Sequence, residues 1–460
     1  MNPPLEPVHQ PADPPSGDRV RSSSCARARG TCAVVGCGTA GPAAAALLAR
    51  AGWRVVLFER APELAPVGAG LLLQPVGLRV LEEIGVLNET LALGSRVDRL
   101  RGRTISGRPV LDVSYGEIGE DIFGLGVQRS MLLRQLLTAA KREGVEVRLG
   151  VDVERIEESP RPRIMERAST DGRRSRSHGP FDLVILGSGA RSQLRSHVSP
   201  LSLERLYPWG ALWMTADLEP HELRKTRGRH DSSGPVTGCV LEQVYDSTTS
   251  MIGFLPSGRT QHGEPVRVSV FWSVRVSEID RVRERSIEAW RHEASELCRA
   301  VLGTTIDVDR VVGQCATGAD LIPATYMDVV CDRLVRGRVV LLGDAGHAMS
   351  PQLGLGANLA LLDASILARI LDQQRDIDRA LVAFEHEVRG THQYYGMVSR
   401  LLTPVFQSDE PVVGFIRDLA YHVFGRVPPI RREMLRALVG ARRGWFRTEH
   451  TTSTRDQAYS

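Results

Sequence analysis

The sequence predicts an α/β protein. A Rossmann-like domain with a parallel sheet is interleaved with an antiparallel β-sheet domain and followed by a helical C-terminal region. Three observations carry this. The stretch CAVVGCGTAGPAAAALLARAGWRVVLFER, Cys32–Arg60, reads as strand, tight glycine turn, alanine-rich helix and second strand. From Tyr207 to about Cys331, short alternating segments such as GALWMTADL and VRVSVFWSVRV read as an antiparallel sheet. The stretch GRVVLLGDAGHAMSPQLGLGANLALLDASILARIL then returns to strand, loop and long apolar helix.

The 460 residues imply two or three domains. Residues 1–30, rich in Pro, Ser and Arg, are expected to be a disordered tail. The parallel-sheet domain takes 31–200, with excursions into the other sheet near 95–125, and resumes at 331–375. The antiparallel sheet takes 201–330 and the helical region 376–460. A net charge of +4 argues against a dedicated nucleic-acid binder. No apolar run is long enough to cross a bilayer. Seven scattered cysteines without a C-x-x-C pair imply neither a zinc site nor a disulfide framework, and a cytoplasmic location is expected.

Along the chain, a helical period covers Gly77–Ile84. GVQRSMLLRQLLTAAKREG is a helix with Ser130 as N-cap and Gly144 as stop. VEVRLGVDVERIEE alternates like paired strands. The basic stretch 161–180 is either a solvated hairpin tip or a phosphate or partner patch. Near the end, Met434, Leu435, Leu438 and Val439 share one helical face, which either caps the body or rests on a membrane surface.

The first glycine motif has a physical reading at each position. Gly36 permits the sharp turn out of the strand, Gly38 lets a pyrophosphate approach the backbone, and Gly41 lets the helix pack close to the sheet. Thr39 and Ala40 lead into a helix whose N-terminus offers free N–H groups to phosphates. Glu59, at the end of the second strand, suits ribose hydroxyls and repels a 2′-phosphate, which favours FAD or NAD over NADP in this slot. In the second motif, Asp344 follows a strand at the carboxyl edge of the sheet, where a carboxylate can bind a polyol. Pro351, Gly354, Gly356, Ala357 and Asn358 form a loop that opens a helix, whose amides suit negative charge on a reduced ring. His347 is either a base or a structural hydrogen-bonder, and Asp363 either a satisfied buried group or a catalyst.

These segments resemble the flavin-dependent aromatic hydroxylases, the class A FAD monooxygenases of the p-hydroxybenzoate hydroxylase type, from about Thr31 to about Arg389. The resemblance implies that Gly36, Gly38, Gly41, Glu59 and Arg60 hold the ADP half of FAD. It places Gly68–Gly70 beside the flavin, Arg129 near the cofactor, Asp344 on the ribityl chain, and Pro351 with Gly354–Asn358 around the isoalloxazine. Two positions depart from the family. Ser188, a candidate cofactor-binding residue, stands where the family usually carries an aspartate near the pyrophosphate, with Arg191 and Arg195 kept, and Leu355 stands where a glutamine is common.

The implied chemistry uses NADH or NADPH to reduce FAD, O2 to form a C4a-hydroperoxide, and transfer of one oxygen atom to an electron-rich substrate. The inserted sheet would supply the pocket, with Trp209, Trp213, Met214, Phe254, Leu255, Phe271 and Trp272 as candidates for its wall, Trp209, Trp213, Leu255 and Phe271 foremost. Its polar anchors are few: Tyr207 (also a candidate catalytic group, like His347), Gln243, Tyr245 and Tyr326. That points to a bulky apolar aromatic, such as a polyketide or quinolone-like secondary metabolite. The alternatives are a flavin-dependent reductase of isoprenoid double bonds and a non-catalytic FAD-binding protein.

Overall fold

The computed structural model describes residues 29–64, 69–158, 160–168, 175–218, 236–246, 248–302, 306–408, 427–445 and 447–448. Most of the expected N-terminal tail, Gly68 and the tip of the 161–180 stretch lie outside these residues. The architecture is mixed α/β, with one largely parallel sheet, one largely antiparallel sheet and a helical C-terminal region.

The first sheet has six strands in the order Val335–Arg336, Val339–Leu341, Leu183–Leu186, Thr31–Val35, Arg54–Phe58 and Glu146–Arg148. All neighbours run parallel except the hairpin formed by the first two. Its central strands, CAVV and LVIL, are unbroken apolar runs because helices cover both faces. The alanine-rich helix Ala40–Arg50 packs between the helices Arg129–Arg142 and Gly356–Gln373. Its buried alanines let those neighbours approach closely.

The second sheet has nine strands, and four of them come from early in the chain: Gly70–Leu73, Ser95–Thr104, Pro109–Ser114 and Gly124–Gln128. They continue the sheet formed by Leu203–Asp217, Val236–Asp246, Ser250–Gly258, Arg267–Arg275 and Ile322–Val330. One face packs on the helix Ile287–Leu302, where the Trp272 and Trp290 rings lie 5.9 Å apart. Strand alternation puts Met214, Phe254 and Trp272 on this covered face, so none of them lines a pocket on the other side.

Several local expectations are corrected. The helix expected to start after Ser130 begins at Arg129, preceded by Gln128, with no side-chain cap. The helix placed at Gly77–Ile84 starts at Pro75, whose fixed φ suits a first turn. The two halves of VEVRLGVDVERIEE do not pair with each other. Glu146–Arg148 closes the parallel sheet, and Val153–Glu157 enters a separate three-stranded sheet with Arg163–Glu166 and Ser177–His178. The C-terminal helix Pro428–Leu438 buries Leu435 at 3% exposure and is followed by Val439 at 1%, so this face covers the body and is not free for a membrane.

A buried ionic clip joins three C-terminal elements. Asp363, on the helix Gly356–Gln373, accepts from His347 Nε2 at 2.6 Å and from His392 Nε2, on the helix Ile377–Phe406, at 2.8 Å. The two imidazoles stack with centroids 3.8 Å apart. The Gly343 N–H also donates to Asp363 at 3.3 Å. These ligand-type groups lie within 4.8 Å of one another, and the shared carboxylate accounts for their arrangement. Burial opposes ionisation of Asp363, but His392 and His347 hold its pKa well below the ordinary carboxylate value. Burial alone would lower the His347 pKa, and Asp363 reverses this and raises it.

Two outcomes are expected. Trp290→Ala should destabilise the protein by about 3–5 kcal/mol, read by chemical denaturation, while the first sheet keeps its cofactor affinity. Asp363→Asn removes one partner from a buried ion pair and should cost about 3–5 kcal/mol. The depressed Asp363 pKa contributes stability above about pH 4, lost as pH falls further, whereas the raised His347 and the lowered His392 oppose each other around pH 6.5. The gap in melting temperature between wild type and variant should therefore narrow as pH falls below about 4.

Candidate cofactor and substrate site

At the end of the first strand, Gly36 has φ +103°, and a Cβ there would lie 2.5 Å from the Gly187 carbonyl oxygen. A Cβ on Gly41 would collide with the Gly36 carbonyl oxygen, so the helix Ala40–Arg50 starts flush against the strand end. At Gly38 a Cβ would meet nothing within 4 Å. Two glycines are thus needed for close protein contacts, while the middle one faces open space. This is the division expected of a turn that receives a pyrophosphate. Thr39 precedes the helix without a side-chain capping bond, which leaves the first-turn N–H groups to a ligand.

Glu59 accepts from the Cys37 N–H at 2.7 Å and from the Ala61 N–H at 3.0 Å. Its carboxylate therefore fixes the turn. Arg60 beside it is exposed.

The second turn meets the first directly. Gly343 has φ +61°, and a Cβ there would lie 3.0 Å from Ala360 Cβ and 3.1 Å from Ala40 Cβ. Asp344 follows, its Oδ1 3.6 Å from the position of a Cβ on Gly356. Pro351–Leu353 is a short 3-10 turn that ends at Gly354, and Gly356 and Ala357 open the next helix half-buried. Leu355 is buried.

The Asn358 side chain has a structural task of its own. It accepts from the Gln74 N–H at 2.7 Å and donates to the Leu72 and Gly354 carbonyls at 3.1 Å each. The amide is committed to the protein backbone, and only its own N–H remains for a cofactor. Gly70 is likewise a junction. Its N–H donates to Ser269 Oγ at 2.7 Å, which fixes the strand Gly70–Leu73 against the strand Arg267–Arg275 within the second sheet.

Ser188 is exposed, with Oγ 2.5 Å from Ser192 Oγ. Arg195 is fully buried, donates to the Ala345 carbonyl at 2.7 Å and pairs with Glu204, so the middle motif braces the Asp344 turn. Arg129 is exposed and close enough to Tyr326 for its charge to oppose the burial that raises the phenol's pKa. His347 is locked in the Asp363 clip. Tyr207 is 8% exposed beside the Asp328–Arg400 ion pair; burial, then the Asp328 charge, raises its pKa. Neither lies among the aromatic side chains described next.

The second sheet turns its uncovered face toward these turns. Ser273 on that face accepts from Gln407 Nε2 at 3.1 Å, and Gln407 accepts from Gln352 Nε2, in the Pro351–Leu353 turn, at 2.7 Å. A single row crosses the sheet there: Gly102, Gln243, Gly253, Phe271, Trp213 and Ile322 are successive register partners. Trp213 and Phe271 are half-buried, their rings 4.9 Å apart and tilted 34°. Trp213 Nε1 reaches the Tyr326 hydroxyl at 3.4 Å. Trp209, 4% exposed with the Arg275 guanidinium 5.6 Å from its ring, and Leu255, 3% exposed against Gly126, are sealed from a pocket. A cleft of about 640 Å³ runs from the helix Arg129–Arg142 to Thr215 and Ile322 at the end of this row.

Gln352, Gln407 and the two glycines of the row were not anticipated from sequence. Their roles depend on strand register and on where a distant helix ends, and neither leaves a local signal.

Comparison with known proteins agrees with this geometry. Residues 30–376 match the family model described as FAD binding domain. The chain is 32% identical over 352 residues to the 3-amino-4-hydroxybenzoate 2-monooxygenase of Streptomyces cremeus, covering 74% of this chain and 78% of that protein. It is 29% identical over 367 residues to a probable 2-heptyl-3-hydroxy-4(1H)-quinolone synthase of Rhodococcus erythropolis, covering 77% and 83%. The fold resembles Klebsiella pneumoniae HpxO crystallised with FAD and uric acid, with TM-score 0.68 at 21% identity, covering 89% of this chain and 97% of that one. The two glycine turns and the sequence relationship lead to one conclusion: the chain belongs to the FAD-binding family of the flavin-dependent aromatic hydroxylases.

Proposed function

We propose that this FAD-dependent monooxygenase uses NADH or NADPH and O2 to insert one oxygen atom into a bulky, neutral aromatic compound held against Trp213 and Phe271. The observation that carries the reading is the row of half-buried aromatic side chains on the sheet face turned toward the second glycine turn. The quinolone named for one relative fits a substrate of this class, while the aminohydroxybenzoate named for the other is smaller and carries a carboxylate. The reductase and non-catalytic alternatives find no support among these relatives. Free thiols at all six described cysteines suit a cytoplasmic protein.

Bound FAD would supply the redox chemistry and the activation of oxygen. The protein's part is placement. The open face at Gly38 and the helix N-terminus behind it suit the pyrophosphate, Glu59 the ribose, and Asp344 the ribityl hydroxyls. The backbone N–H groups of Gly356, Ala357 and Asn358 suit negative charge on the reduced ring. Trp213, Phe271 and Tyr326 exclude water from the reacting face. The Gln352–Gln407–Ser273 chain sets the distance between the loop and the substrate sheet.

Purified protein should be yellow, and incubation with NAD(P)H, 18O2 and a panel of aromatics should place one 18O atom in product by mass spectrometry. Substrate-stimulated NAD(P)H oxidation without oxygen uptake, and with a reduced double bond, would overturn the reading. Glu59→Ala should weaken FAD binding roughly ten- to hundredfold in reconstitution titrations, because the ribose loses an acceptor and the turn loses two N–H contacts.

A further inference from the structure

We propose that Gln243 reads the hydrogen-bonding edge of the substrate and selects a neutral ring that carries an N–H donor beside a carbonyl or hydroxyl acceptor. The inference rests on the monooxygenase reading above and names the substrate class for that same site.

Gln243 stands in the cross-sheet row between Gly102 and Gly253, its register partners on either side. Both neighbours lack side chains, so the amide rises from a trough. The trough is walled, not open. A Cβ on Gly253 would collide with the Phe271 ring, which therefore lies over that glycine. A Cβ on Gly102 would lie 3.0 Å from the Tyr245 ring. Phe271 in turn meets Trp213, so aromatic surface extends from the amide across the next two strands.

Gln243 is half-buried, and among the described residues no group hydrogen-bonds its amide. A primary amide has two N–H donors and an acceptor oxygen, and leaving it unmatched once a ligand covers it is costly. A ring with adjacent donor and acceptor satisfies both ends of the amide at once, while its face lies on Phe271 and Trp213. A carboxylate on the substrate would instead seek a cation. On this sheet face the arginines sit at the margins: Arg267 faces Asp217 at 3.4 Å, and Arg275 lies over Trp209. Arg129 stands near Tyr326, away from Gln243 across the row.

Three probes with one ring system test this in the FAD-loaded enzyme. 2-Quinolone presents a lactam N–H beside C=O, 2-methoxyquinoline lacks the donor, and quinoline-2-carboxylate carries a charge. Binding is read from the perturbation of the flavin absorbance, alongside stimulation of NAD(P)H oxidation. Wild type should bind 2-quinolone at least tenfold more tightly than either other probe. Gln243→Leu should weaken 2-quinolone about tenfold while changing 2-methoxyquinoline less than twofold and leaving the bound FAD spectrum unaltered. Gln243→Glu, of the same shape, keeps an acceptor for the lactam N–H but loses the donor to the lactam C=O, and should bind 2-quinolone more weakly than wild type.

Tightest binding of the carboxylate, or a 2-quinolone preference that survives Gln243→Leu, would overturn the proposal while the monooxygenase reading stands. A wild-type protein that fails to hold FAD, or that nicotinamide does not reduce with any aromatic, would sink both.

Discussion

The structure depends on one close approach. Gly343, Ala40 and Ala360 bring three chain segments, far apart in sequence, to within contact of one another, and none of the three carries a side chain larger than a methyl group. Around that point the first helix presents its N-terminus, the Asp344 turn presents a carboxylate, and the helix from Gly356 presents its first amides. A larger residue at any of the three would push the two turns apart. Both would persist locally, but they would no longer address one extended molecule. Small residues here set a distance that no single hydrogen bond could set.

The second sheet is built as two surfaces with opposite tasks. Its covered face is a conventional core, with Trp272 against Trp290 and close-packed aliphatics. Its other face is only partly filled. The half-buried rings of Trp213 and Phe271, the serines at 269 and 273, and the glycines at 102 and 253 leave room and spare polarity. Alternation along each strand separates these tasks residue by residue. Trp213 and Met214, adjacent in sequence, therefore belong to different environments.

Much of this was legible in the sequence. The glycine spacing and the apolar runs around it locate the Gly36–Gly41 turn, and the apolar strand before Asp344 and the glycines after it locate the second turn, because both turns are built from residues close together in sequence. Fold class followed from the change from unbroken to alternating apolar runs. The composition of the aromatic wall was legible and its orientation was not. Trp209, Trp213, Leu255 and Phe271 looked equivalent, and only register and neighbouring strands show that two are sealed and two are accessible. The helix start at Gly356–Asn358 is legible from the loop, but the task of the Asn358 side chain, which serves Gln74, Leu72 and Gly354, is not, because those partners lie far away in sequence or depend on the turn's geometry. His347 was chemically plausible as a base until Asp363 and His392 appeared beside it.

The hydrogen bond from Gly70 to Ser269 has a further consequence. It belongs to a larger knot in which Gln128 donates to Ser257, and Ser257 in turn contacts Ser269. All four residues lie in the second sheet, which the polypeptide enters from the first at Gly70 and leaves through Gln128, so the cluster holds two chain crossings side by side. The two sheets are in effect stitched, and a genetic split of this chain would have to respect several crossings at once.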